Sequence, residues 1–106
     1  MQVEIERKFL VTSNRFKDTS TRKADIVQGY LNTSGAAITR VRIENDDISI
    51  VNIKEFTNSI SRKEFEYNIS IKDAKQLINL CGDRIVIKTR WYCHSDGCLW
   101  EVDEFH

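Results

Sequence analysis

Charged residues recur at every second position in a series of short stretches. They are Glu4, Glu6 and Lys8; Arg40 and Arg42; Arg62, Glu64 and Glu66; Lys88 and Arg90; and Glu101 and Asp103, with Lys54 near the end of a further stretch. A repeat of two places such side chains on one face of an extended strand. The set holds basic residues, Lys8, Arg40, Arg42, Lys54, Arg62, Lys88 and Arg90, and acidic ones, Glu4, Glu6, Glu64, Glu66, Glu101 and Asp103. Arginine matches phosphate oxygens with paired N–H donors and lysine acts as a point charge, so the basic set suits a chain of phosphates. Clustered carboxylates suit hard, oxygen-seeking ions such as Mg2+ or Mn2+. Together they describe a metal–polyphosphate site. The competing reading is that each stretch is the solvated side of an antiparallel sheet, which is the usual meaning of alternating charge.

The elements that must carry these residues follow from the same period. Val3 to Val11, Asp25 to Asn32, Ile38 to Glu44, Ile48 to Glu55, Ser61 to Ile69, Arg84 to Cys93 and Leu99 to Phe105 alternate as strands. Turn chemistry separates them at Thr33-Ser34-Gly35, Asn45-Asp46-Asp47 and Ser95-Asp96-Gly97. Between Ser70 and Gly82 the period changes, with Ala74, Leu77, Ile78 and Cys81 at helical spacing, Ser70 or Asp73 as cap and Gly82 as stop. Asn14 to Lys23 reads as a loop or short helix. The expected class is α+β: an antiparallel barrel of about seven strands, incompletely closed, with one main helix. One helix cannot cover the apolar face of so many strands, which favours curling with the charges inward. Buried charge costs several kcal/mol per ion unless it is paired or meets an ionic ligand.

Length and composition exclude other classes. A chain of 106 residues suits one domain. Lys plus Arg and Asp plus Glu each number 16, and this neutral balance argues against a nucleic-acid partner. Cys81, Cys93 and Cys98 form an odd set without CxxC spacing, which speaks against a disulfide framework or a zinc site and fits a reducing cytoplasm. No apolar run approaches the roughly 18 residues of a membrane helix. His94 and His106 lie apart and read as surface residues.

Glu4-Ile5-Glu6-Arg7-Lys8 resembles the ExExK signature that opens the CYTH domains, or triphosphate tunnel metalloenzymes. Gln28-Gly29-Tyr30-Leu31, Arg40-Val41-Arg42-Ile43, Ile53-Lys54, Arg62-Lys63-Glu64-Phe65-Glu66-Tyr67, Ile87-Lys88-Thr89-Arg90 and Trp100-Glu101-Val102-Asp103 follow in that family's order. The resemblance implies that Glu4 and Glu6 bind metal, with Glu64, Glu66, Glu101 and Asp103 as further acidic tunnel positions that bind or orient metal and water. It implies that Lys8, Arg40, Arg42, Lys54, Arg62, Lys88 and Arg90 hold phosphates. Tyr30 matches an aromatic position that relatives place near Lys8 as a water-activating pair; packing is its alternative role. The implied function is Mg2+- or Mn2+-dependent hydrolysis of a triphosphate, inorganic triphosphate first, then thiamine or nucleoside triphosphates. A polyphosphate- or nucleotide-binding module without turnover, and a CYTH-type adenylate cyclase, are the alternatives. The family pattern continues past Trp-Glu-Val-Asp with a closing strand that residues 1–106 lack. An open edge and an uncovered apolar face then lead us to expect a homodimer.

Overall fold

The computed structural model describes residues 1–106. The elements are β1 (Gln2–Ile5), α1 (Phe16–Thr19), β2 (Ser20–Tyr30), β3 (Ala37–Glu44), β4 (Ile48–Glu55), β5 (Ser61–Asn68), α2 (Ile71–Leu80), β6 (Ile85–Ser95) and β7 (Cys98–Phe105). Every pairing is antiparallel, in the order β1-β5-β4-β3-β2-β6-β7. The sheet curls into a half-barrel whose edges are β1 and β7. Its radius of gyration is 14.7 Å, above the about 13 Å expected of a compact chain this long.

Local chemistry sets the hairpins. Asn45 and Asp46 both take positive φ between β3 and β4, a conformation these residues tolerate. Asn45 is also fixed from the side: the Asp25 amide donates to its Oδ1 at 2.8 Å. Asp96 and Gly97 take positive φ between β6 and β7, as the Asp-Gly pair favours. Ser70 caps α2, its hydroxyl accepting from the Asp73 amide at 3.1 Å.

Helix α2 lies on the convex side. Ala74 and Ile78 bury against Val41 and Ile43, with Val27, Leu31, Val51 and Leu77 packed around them. The approach is closest at Gly29, where a Cβ would stand 2.6 Å from Cys81 Sγ, 3.0 Å from its Cβ and 3.2 Å from Ile78 Cδ1. Gly29→Ala is therefore expected to lower stability by about 1–3 kcal/mol through overpacking. Chemical denaturation with an unchanged midpoint would contradict this contact. Short α1 sits further along the same side, with Phe16 edge-on to Trp91 and Lys17 Nζ 2.8 Å from Glu104.

The strand expected over Val3 to Val11 stops at Ile5. Ile5 pairs with Ser61, the first residue of β5, so the partner strand ends there and the alternating pattern beyond has no ladder to join. Residues 6–15 instead run to the opposite edge of the sheet, where Phe9 stands edge-on to Trp100 of β7. Strand β2 begins earlier than expected, at Ser20, and α1 adds a second, four-residue helix. On the convex face α2 covers Val41 and Ile43, whereas Val3, Ile5, Tyr67, Ile87 and Trp100 remain exposed.

Candidate functional site

The register gathers most of the charged residues on the concave face. Tyr30, Arg40, Asn52 and Glu66 form one row across four strands; Gln28 stands beside Arg42, Lys54 beside Glu64, Glu4 beside Arg62, and Arg90 beside Asp103. No helix packs on this side, yet Gln28, Arg42, Asn52, Glu64 and Lys88 are buried, as are Ala24, Ile26 and Tyr92 among them. Curling alone accounts for that, because it crowds the side chains of successive strands together. The contact from Lys54 on β4 across β5 to Glu4 on β1, with Nζ 2.9 Å from Oε1, shows the same curvature.

The ion pairs divide the charges into committed and uncommitted groups. Lys88 Nζ donates to Asp103 Oδ2 at 2.7 Å, and Arg90 grips both oxygens of Asp103 at 2.8 and 3.0 Å while its other arm reaches Glu101 at 3.1 Å. Burial works to raise the Asp103 pKa, but these hydrogen bonds and charges outweigh it and hold it down to about 2. Burial works against the charged form of Arg90 too, and there Asp103 more than compensates, so its pKa is raised. For Lys88 burial outweighs the help from Asp103, and its pKa is lowered.

Arg42 is held differently. Its Nε and Nη2 both donate to Gln28 Oε1 at 3.2 Å, Gln28 Nε2 donates to the Tyr30 hydroxyl at 2.9 Å, and the nearest carboxylate, Glu44, lies 3.8 Å away. Burial first, and then the charges of Arg40 and Arg90, push the Arg42 guanidinium below its ordinary value. Arg40 and Arg62 form no ion pair within 4.0 Å, and Arg40 Nε is buried without an acceptor. Glu64 and Glu66 have no cation either; each accepts from the single amide nitrogen of Asn52, at 2.6 and 3.0 Å. The face thus presents Arg40 and Arg62 without anions, and Arg42 with only Glu44 at 3.8 Å, together with a carboxylate pair that has no cation. This is the complementarity a polyanion carrying a divalent cation requires.

Two expected residues sit outside that arrangement. Glu6 and Lys8 follow the end of β1, and Lys8, 84% exposed, contacts only Glu6, at 3.4 Å. Tyr30 is on the face, but its recorded partner is Gln28 rather than Lys8. Gln28 and Asn52 are the polar members whose part in the site charge alone would not disclose. Position parity could have found them, since each lies two residues before Tyr30 or Lys54 on the same strand. A concavity of about 840 Å3 lies mostly elsewhere, against convex-side Val27, Ile43, Ile87 and α2; of the charged candidates only Lys88 reaches it.

The CYTH domain family model matches residues 2–106. The chain belongs to the CYTH domain family. It is 36% identical to an inorganic triphosphatase of Acetivibrio thermocellus, with 99% of this chain and 67% of that protein covered. A solved inorganic triphosphatase matches at 28% identity and a TM-score of 0.59, covering 80% of this chain. This chain spans 56% of the length of that structure. A protein from Pyrococcus horikoshii OT3 shares the fold at a TM-score of 0.69 and 19% identity, over 92% of this chain and 68% of the other. As a CYTH domain, the chain has the curled antiparallel α+β architecture that its sequence predicts. No helix is long and apolar enough to cross a membrane.

The ion cluster on β6 and β7 makes a pH prediction. The folded-state pKa of Asp103, about 2, lies below the about 3.9 of an unfolded aspartate. Its contribution to stability is therefore complete above about pH 4 and is lost as the pH falls toward 2. We expect that contribution to be about 1–2 kcal/mol after allowance for solvent screening. Asp103→Asn should be less stable than wild type at neutral pH, because it leaves the buried Lys88 without its anion. The gap should close between pH 4 and 2. Thermal unfolding of both proteins across pH 2–7 tests this, and a gap independent of pH would remove Asp103 from the acid transition.

Proposed function

We propose that this CYTH domain hydrolyses a terminal phosphoric anhydride bond of a triphosphate, with inorganic triphosphate as the favoured substrate and thiamine or nucleoside triphosphates as further candidates. The observation that carries this reading is a concave face on which Arg40 and Arg62 have no ion-pair partner and Arg42 is held by Gln28 with Glu44 only at 3.8 Å, while Glu64 and Glu66 have no cation. The similarity to an inorganic triphosphatase supports the choice of substrate.

A divalent ion fits the donors present. No group of three Asp, Glu, His or Cys residues gathers as a ready-made metal site. Mg2+, however, keeps several waters and binds through one or two carboxylates plus substrate phosphates, so Glu64 and Glu66 suffice as its protein anchor. When bound, Mg2+ or Mn2+ supplies Lewis-acid polarisation of a phosphoryl oxygen. Glu4, Glu6, Glu101 and Asp103 are further acidic candidates, for which a cation would compete with the basic partners Lys54, Lys8, Arg90 and Lys88.

In the proposed mechanism Arg40, Arg42 and Arg62 hold the non-bridging oxygens and spread their charge, with Lys54, Lys88 and Arg90 flanking them. Gln28 fixes the Arg42 guanidinium from behind, so that arginine enters the reaction already oriented. Water attacks the terminal phosphorus in line, the bridging P–O bond breaks, and diphosphate leaves as the water proton is passed to a base. Tyr30 and Lys8 are assigned to prepare that water, with Lys8 exchanging its loose contact to Glu6 for the substrate. The exposed Ile5, Tyr67, Ile87 and Trp100 provide the apolar face for a homodimer, which light scattering at micromolar concentration would detect as twice the monomer mass.

Phosphate release from tripolyphosphate, ATP and thiamine triphosphate, with Mg2+, Mn2+ or chelator, tests the activity. Metal-dependent release, fastest from tripolyphosphate, is expected. Binding of all three without release would reject hydrolysis in favour of a binding module.

A further inference from the structure

Asn52 stands at the centre of the concave face, between Arg40 and Glu66 in register, and is 0% exposed. Its Nδ2 uses both hydrogens on Glu64 and Glu66, drawing one oxygen from each carboxylate. Its Oδ1 is buried and accepts from nothing. A buried carbonyl oxygen without a donor bears the full cost of desolvation, and such orphans in folded proteins call for a ligand or a functional reason. The next strand carries the complementary orphan: Arg40 Nε is buried with no acceptor.

The residue type matters as much as its position. A lysine or arginine here would clamp the two carboxylates equally well, but it would also neutralise them. An amide clamps them through two hydrogen bonds and leaves their negative charge available. It also brings a hard oxygen of its own, which suits a divalent ion of the magnesium class.

We infer that Asn52 builds the cation site, its Nδ2 holding Glu64 and Glu66 side by side and its Oδ1 serving as a third oxygen donor to a divalent cation. The inference rests on the proposed metal role of Glu64 and Glu66 and adds to it a neutral ligand. Asn52 stands between Arg40 and Glu66 in register, so a cation held there would lie where the two charge sets meet.

The test is Mn2+ binding without substrate, by calorimetric titration of wild type, Asn52→Leu, Asn52→Asp and Glu64→Gln, with circular dichroism to check the fold. Asn52→Leu keeps the volume but removes both donor and acceptor, and should weaken Mn2+ binding at least about tenfold, as loss of a ligand or its support does. Asn52→Asp puts a third carboxylate beside two others, so its thermal midpoint should fall in chelator and rise with Mn2+ by more than that of wild type. If Asn52→Leu binds Mn2+ within twofold of wild type while Glu64→Gln loses it, the Asn52 assignment is overturned and the carboxylate pair stands. If Glu64→Gln binds as wild type does, the carboxylate pair itself fails and takes this inference with it. Should Asn52→Leu not fold, Asn52→Asp decides, and a Mn2+-induced rise no larger than that of wild type overturns the proposal.

Discussion

Arg40→Ala is expected to weaken tripolyphosphate binding by about 10- to 150-fold, the worth of a charge-assisted hydrogen bond, while leaving the protein at least as stable as before. The two halves of this result have one cause. Arg40 forms no ion pair within 4.0 Å and its Nε is buried without a partner, so its removal costs the free fold no polar contact of that nitrogen. Its charge also disfavours the charged form of neighbouring Arg42, and alanine relieves that repulsion. Arg90→Ala is the control of opposite character. That residue is committed to Asp103 and Glu101, and its loss should lower stability by breaking a partly buried ion cluster. Calorimetric binding and thermal unfolding of the two variants separate these outcomes. Unchanged affinity with reduced stability in Arg40→Ala would show a structural arginine and remove it from the phosphate site.

Glu64→Gln should reduce metal-dependent turnover by more than about 100-fold, beyond the 10- to 100-fold typical of changes in outer-shell partners of a metal. Glutamine preserves the shape of the side chain, and its carbonyl oxygen can still accept from Asn52. What it removes is the negative charge that a hard cation requires. Folding should survive, since Glu64 forms no salt bridge in which a buried cation would be left unpaired. Steady-state rates over a range of Mg2+ concentration check the effect. Full activity at ordinary metal concentration would assign the ion to other carboxylates.

The same two residues show how far a sequence carries this argument. The period of two placed Arg40 and Glu64 on the charged face, because side chains alternate strictly along a strand and parity survives small errors in strand ends. For that reason β3, β4, β5 and β7 start within a residue of where the pattern puts them. The switch to helical spacing after Ser70 likewise located α2 and its cap. The order of the charged motifs along the chain was enough to indicate the CYTH family.

Parity names a face but not a partner, and partners depend on strand order and curvature. Lys54 meets Glu4 only because β5 lies between their strands and the sheet bends across it; Lys88 and Arg90 converge on Asp103 through the β6–β7 register. Nothing local distinguishes those committed bases from Arg40 and Arg62, which the fold leaves without anions. Lys8 lies beyond the sheet for a related reason. Its alternating pattern is as regular as that of any strand here, but a strand needs a neighbour, and β5 offers none beyond Ser61. Gln28 and Asn52 carry no charge to announce them, and they matter because tertiary packing buries each beside ions that it must orient. The sequence by itself determined the faces, the helix and the family, since those rest on periodicity and order along the chain. Only the tertiary structure decided which charges are neutralised and which await a ligand, because that balance depends on distances between strands far apart in sequence.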